Sequence, residues 1–143
     1  MRRLTPGRHP DRTARSLRRR LGTATVELAV ILPVAVTLVV GMIEASNAIF
    51  TKQSLKIASY EAARIATAPG RTHSQAIQRA NEVLSSRGIS KATIKVTPRV
   101  SEKTPRGTPV TVTITMKARD ASFAGEWFSK KAKFAGRVRM ARL

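Results

Sequence analysis

The sequence predicts an α+β protein: a long N-terminal helix, a second shorter helix and a small three-stranded antiparallel sheet. Two observations carry this. Residues 24–43 form a twenty-residue apolar run whose only charge is Glu27, and after Gly88 the apolar period changes from that of a helix to two. A third observation, the placement of charge, indicates where the long helix sits.

At 143 residues the chain has room for one folded domain. Its formal net charge of +19 first suggests a nucleic-acid binder, but the charge is unevenly placed. Residues 1–22 hold eight arginines (Arg2, Arg3, Arg8, Arg12, Arg15, Arg18, Arg19, Arg20) against one acid, Asp11. The remainder keeps 19 basic and 7 acidic residues, a net +12. Aromatic residues make up 4% of the chain, too few for a base-stacking platform. The absence of cysteine excludes disulfides, thiolate zinc sites and cysteine nucleophiles, and leaves the redox compartment open.

Residues 1–20 are rich in Arg, Thr and Pro with little to bury, so they are expected to be a disordered, charged leader. The run that follows, ATVELAVILPVAVTLVVGMI, is apolar on all sides. About 20 helical residues span roughly 30 Å, the thickness of a hydrocarbon core. A chain this short has no core that could surround such a helix, so a transmembrane span is expected. The arginines before it keep the N-terminus cytoplasmic, and a long following domain crosses largely regardless of its charge. Pro33 removes one backbone hydrogen bond and is expected at most to kink the span.

Beyond Glu44 the helical pattern continues to about Ala68 and stops at Pro69-Gly70. One helix is therefore expected from about Thr23 to Ala68, its second half amphipathic. Ile43, Phe50 and Ile57 repeat at seven, with Leu55, Ala58, Ala62 and Ile65 on the adjoining part of the same face, which is expected to pack. Lys52 and Lys56 lie on the other side. Glu61 and Arg64, spaced i, i+3, are expected to pair. A second helix is expected over Ser74–Ser86, with Ser74 as N-cap, Ala76, Ile77, Ala80, Val83 and Leu84 on one face, and Gly88 as the stop.

Three strands follow. Ala92, Ile94, Val96 and Val100 alternate, as do Val110, Val112, Ile114 and Met116 after the loop 101–109, and Phe134, Val138 and Met140 near the C-terminus. The segment 122–131, with Phe123, Trp127 and Phe128, is expected to be a loop or short helix covering an edge. The resulting division is a basic leader (1–22), a transmembrane helix (23–43), an amphipathic extension (44–68) and a small extracytoplasmic α+β domain (74–143). The outer sheet face carries Thr93, Lys95, Thr97 and Arg99, then Thr111, Thr113, Thr115 and Lys117, then Lys133, Arg137 and Arg139. Such a face is either plain solvated surface or a contact for an anionic polymer such as DNA, envelope polysaccharide or lipid headgroups.

Nothing in the sequence forms a catalytic constellation. His9 falls in the leader and His73 in an expected loop, neither beside a carboxylate or metal partner. There is no Gly-rich phosphate loop and no plausible acid pair, so no enzyme, metal or cofactor is expected.

The chemistry lies in RRRLGTATVELAVILPV. Ala45 and Ala48 could serve a secretory peptidase, but the apolar run is long for a secretory signal. Residues 16–21, SLRRRL, only faintly match a twin-arginine signal. A basic leader ending in Gly22, with Glu27 five residues on and an immediate apolar helix, resembles a class III, type IV pilin-like signal. That resemblance implies a prepilin peptidase cutting between Gly22 and Thr23. Gly22 suits the cut physically, because it lets an extended backbone enter a narrow cleft and only a small residue fits beside the scissile bond. Glu27 would cost roughly 2.5–3.5 kcal/mol deep in a bilayer, less near the interface or beside a cation. The family implies that this glutamate meets the freed amine of a neighbouring subunit. The alternative is that Glu27 simply sits at headgroup depth.

More narrowly, the chain resembles a TadE-like pseudopilin of the tight-adherence pilus and secretion system. The residues that carry this are Gly22-Thr23-Ala24-Thr25-Val26-Glu27-Leu28-Ala29, Pro33, Gly41 with Glu44, and Glu61-Ala62-Ala63-Arg64. Leu28 departs from the aromatic residue usual there. The resemblance implies a minor pilin-like subunit, with Glu27 and Pro33 in assembly, and with a prepilin peptidase, other pilins, an inner-membrane assembly platform and membrane lipid as partners. A different class stays open: a permanently anchored envelope protein whose Lys95, Arg99, Lys117, Lys133, Arg137 and Arg139 bind an anionic polymer. A cytoplasmic DNA-binder is set aside, since the span strands most basic residues outside; nucleic acid is not an expected partner.

Overall fold

The computed structural model describes residues 12–122 and 132–143. The elements are α1 (Arg12–Thr67), α2 (His73–Ser85), β1 (Ala92–Thr97), β2 (Pro109–Lys117), a 3₁₀ turn (Ala118–Asp120) and β3 (Lys133–Ala141). The fold class is α+β. The chain divides into two units, Met1–Gly41 and Met42–Leu143, which are described separately.

In the first unit, everything described belongs to α1. Helix begins at Arg12 rather than near Thr23, so residues 12–20 are not the irregular leader expected. Their sequence, RTARSLRRR, contains neither Pro nor Gly, and Arg, Leu and Ala are strong helix formers. Joined to an apolar helix, they need no nucleation of their own. Pro33 lies inside α1 and takes away the donor that the carbonyl of Ala29 would accept. Four residues on, Thr37 donates its hydroxyl to the Pro33 carbonyl at 2.8 Å, which satisfies a polar group in an apolar stretch without a partner helix.

In the second unit, the rest of α1 and all of α2 pack on one face of the sheet. Strand order is β1-β2-β3, both pairings antiparallel. The core is one cluster that includes Leu55, Ala58, Ala62 and Ala66 of α1, Ala76, Ala80 and Leu84 of α2, and Val96, Val110, Val112, Ile114 and Met116 of the sheet. The period-two reading of the strands therefore places the inward residues correctly. The helix reading needs a correction. Ile43, Phe50 and Ile57 do not join the packed face and remain 40–48% exposed. Apart from Leu55, the packed face is made of small residues, with Ser54, Ser59 and Thr67 buried beside the alanines.

Small side chains bring backbone against backbone. A Cβ built on Gly136 of β3 would stand 2.5 Å from the carbonyl carbon and oxygen of Leu55 and 2.7 Å from the nitrogen of Lys56. Only glycine fits at this crossing. Beside it Ser59 Oγ donates to the Gly136 carbonyl at 3.0 Å and to the Leu55 carbonyl at 2.8 Å, tying strand to helix.

Helix α2 opens one residue earlier than expected. Its N-cap is Thr72, in extended backbone, not Ser74; the Thr72 N–H donates to the Gln75 side chain at 3.1 Å, half of a capping box. His73 is thus the first residue of a helix rather than part of a loop, and its N–H donates to the Val100 carbonyl at 3.1 Å. Gly88, at φ +71, ends the helix as expected, with the Ile89 N–H returning to the Leu84 carbonyl at 2.9 Å. Glu61 pairs not with Arg64 but with Arg79 of α2 at 3.5 Å, and Arg79 also reaches Glu82 at 3.4 Å. A tertiary partner displaced the local one. The expected edge cover at Phe123, Trp127 and Phe128 lies outside the described residues.

Candidate functional site: the apolar helix and the basic sheet face

Residues 22–39 of α1 are exposed in the isolated chain, among them Val26, Leu28, Val30, Ile31 and Leu32 at 53–67%. A helix from Gly22 to Thr67 is long and apolar enough to cross a membrane. Glu27 interrupts this surface one turn past Thr23. Gly22 has helical surroundings, and a Cβ there would meet nothing within 4 Å. No packing contact requires a glycine at this position. Its local effect is to weaken the helix by about 1 kcal/mol relative to alanine, which eases the unwinding that any peptidase needs.

Past the apolar run, Glu44, Ala45 and Ala48 share a groove with Ala118, Ala121, Ser122 and Phe134. At the far end of the same stretch the C-terminus is bound to the last turn of α1. Arg142 is 5% exposed and donates Nη1 to the Ala66 carbonyl at 3.3 Å, and the Leu143 N–H donates to the Thr67 carbonyl at 3.1 Å. A cation on carbonyls at a helix C-terminus also suits the helix dipole.

The sheet's outer face is ordered by register. Lys95, Thr113 and Arg137 form one row across the three strands, Thr97, Thr111 and Arg139 a second, and Thr93, Thr115 and Ala135 a third. Lys117 and Lys133 stand directly opposite one another. Five of the six candidate polyanion-binding residues thus lie on this face. The sixth, Arg99, follows β1 and lines a separate hollow with Thr72, His73 and Lys103. The structure adds two residues that sequence reasoning missed: Lys91 and Asp120, paired at 3.8 Å beside Lys117 and Lys133. No sequence signal places them there, because the turn that brings Asp120 round is set by packing. Among the described residues there is no cluster of His, Asp or Glu that could hold a metal.

The fold and these surfaces define a class of protein: a membrane-length apolar helix carrying a small α+β domain, with its distinctive chemistry on the helix surface and the sheet. Compared with known families, residues 22–64 match the family model for TadE-like proteins. The match points to a pilus-associated, pilin-like protein. It starts at Gly22 and ends at Arg64, so it covers most of α1 and leaves the sheet outside. Neither the curated proteins nor the solved structures give a significant match.

Proposed function

We propose that this chain is a minor pilin-like subunit of a tight-adherence pilus or secretion machine, processed after Gly22 by a prepilin peptidase and assembled through its N-terminal helix. The observation that carries the reading is the TadE-like match beginning at Gly22, on a helix whose large apolar side chains from Val26 to Val39 stay exposed among the described residues. In this reading the arginine-rich segment before Gly22 is a leader held in the cytoplasm. Its removal frees an amine on Thr23, one turn from Glu27. The carboxylate of Glu27 then has a cation to meet on a neighbouring subunit, which offsets its cost in the bilayer. Residues 24–43 are the membrane span, residues 44–68 its extension, and residues 74–143 the domain outside the inner membrane. Pro33 leaves a carbonyl that a neighbouring helix can satisfy. The partners are the peptidase, other pilins or pseudopilins and the assembly platform in the membrane.

N-terminal sequencing after co-expression with a prepilin peptidase tests this. A chain that begins at Thr23 supports the reading, as does loss of cleavage in Gly22→Leu. A chain still beginning at Met1, or cut near Ala48, overturns it. A second reading, a permanently anchored envelope protein that holds an anionic polymer, draws on the Lys95–Thr113–Arg137 row. It requires an uncleaved N-terminus and salt-sensitive binding.

A further inference from the structure

The end of the sheet nearest Glu44 concentrates positive charge in a defined hollow. Lys91, Thr93, Thr115, Lys117, Asp120 and Lys133 line an open groove of about 440 Å³, within the size range of small-molecule sites. Among the described residues, three lysines face one acid. Asp120 is taken up by Lys91, and neither Lys117 nor Lys133 has an ion pair among the described residues. Like charges directly across an antiparallel ladder are unfavourable, yet Lys117 and Lys133 are Cα partners. An anion between them removes that repulsion, and the hydroxyls of Thr93 and Thr115 are available as donors.

The neighbours of the groove at the end of the apolar run identify the anion. Ala118 and Phe134 directly follow Lys117 and Lys133 in sequence, and both share a second groove with Glu44, Ala45 and Ala48. Those three residues are the first turn and a half of α1 after the apolar run ends at Ile43. At 1.5 Å per helical residue they lie within about 10 Å of its end, the depth of the headgroup layer.

We propose that the groove of Lys91, Lys117 and Lys133 binds the phosphodiester headgroup of an acidic phospholipid in the membrane that residues 24–43 span. The two lysines that oppose each other clamp the phosphate, and the threonine hydroxyls hydrogen-bond its free oxygens. This inference rests on the membrane span but not on processing after Gly22.

The test uses the full chain reconstituted in phosphatidylcholine bilayers with spin-labelled phosphatidylglycerol or phosphatidylcholine as probe. The readout is the relative association of the two lipids. A lysine near an anionic surface is worth about fivefold, so Lys117→Gln with Lys133→Gln should lower the phosphatidylglycerol preference by up to about 25-fold. Lys117→Arg with Lys133→Arg should keep it, and so should Lys103→Gln, at the far end of the sheet. Both lysines are exposed, so the variants fold. An unchanged preference in the glutamine variant overturns the proposal. So does a result in which those substitutions abolish binding of DNA or polyphosphate to the reconstituted chain while lipid preference stays the same. Release of the chain from bilayers by alkaline carbonate overturns the membrane span together with the proposal, whereas retention without lipid preference overturns the proposal alone.

Discussion

Replacing Gly136 with alanine should break the contact between helix and sheet, and its size can be worked from the geometry. The added Cβ would meet Leu55 main-chain atoms at 2.5 Å and the Lys56 nitrogen at 2.7 Å. Apolar atoms rest at about 3.5–4.0 Å, so α1 and β3 must part by about 1 Å. No side chain can swing aside, because the obstructing atoms are backbone. Overpacking of this kind costs about 1–3 kcal/mol. The same movement stretches the 3.0 Å bond from Ser59 to the Gly136 carbonyl out of range, for about 1 kcal/mol more. The expected loss is therefore about 2–4 kcal/mol, a large share of the 5–15 kcal/mol that stabilises a typical domain.

Amide hydrogen exchange of the full chain in detergent measures this directly. The β2 amides, in the middle of the sheet, should exchange about thirtyfold faster or more, since each 1.4 kcal/mol is tenfold. Ser59→Ala should show only the hydrogen-bond share, about 1 kcal/mol. Ala135→Ser, on the exposed neighbour, should stay within about 0.5 kcal/mol. An exchange rate in Gly136→Ala within about threefold of the unmodified chain would refute the close approach of helix and strand.

Arg142→Gln should cost about 1.5–3 kcal/mol, the worth of a charged hydrogen bond, and should loosen the C-terminal residues first, visible as earlier tryptic cleavage at Arg139. Leu55→Ala should lose about 2–5 kcal/mol because the side chain is fully buried, while Ile57→Ala, 40% exposed, should change stability by about 1 kcal/mol or less; thermal unfolding in one detergent compares the two. Glu27→Gln should leave cleavage after Gly22 intact and reduce incorporation into assemblies, read by pull-down of co-expressed pilin subunits; incorporation at the unmodified level would remove Glu27 from any assembly role.

The strands were legible because alternation is a local property. Once Val110, Val112, Ile114 and Met116 point inward, the register and the basic outer rows follow from pairing alone. The long apolar helix was legible for the same reason: twenty apolar residues with one charge make a helix long and apolar enough to cross a membrane. What failed was partner choice. Glu61 has an arginine at i+3, yet Arg79 from another helix takes it. Thr72 caps α2 although Ser74 looks equally fit, because the pairing of the His73 N–H with the Val100 carbonyl fixes where the chain turns. Gly136 carried a signal that could have been read: a glycine inside a strand marks a close backbone approach. Lys91 with Asp120, and Arg142 with Ala66, are contacts between distant segments with no periodic trace in the sequence.

The misreading of α1 bears most on function. Sequence reasoning put Ile43, Phe50 and Ile57 on one broad packing face together with Leu55, Ala58, Ala62 and Ile65, and only the second group packs. The structure buries Leu55, Ala58, Ala62, Ala63 and Ala66 with Ser54 and Ser59, and leaves Ile43, Phe50 and Ile57 outside. The same helix therefore carries two apolar faces of opposite character. The small-residue face is consumed by the chain's own sheet. The large-residue face continues from the apolar run through Ile49, Phe50, Ile57 and Tyr60, all exposed, and none of the described elements covers it. A solitary anchor needs apolar surface only across the bilayer, ending near Ile43. Apolar surface that persists for four more turns, away from the sheet, fits a helix that leaves the membrane to pack among other helices, which is the behaviour proposed for a pilin-like subunit.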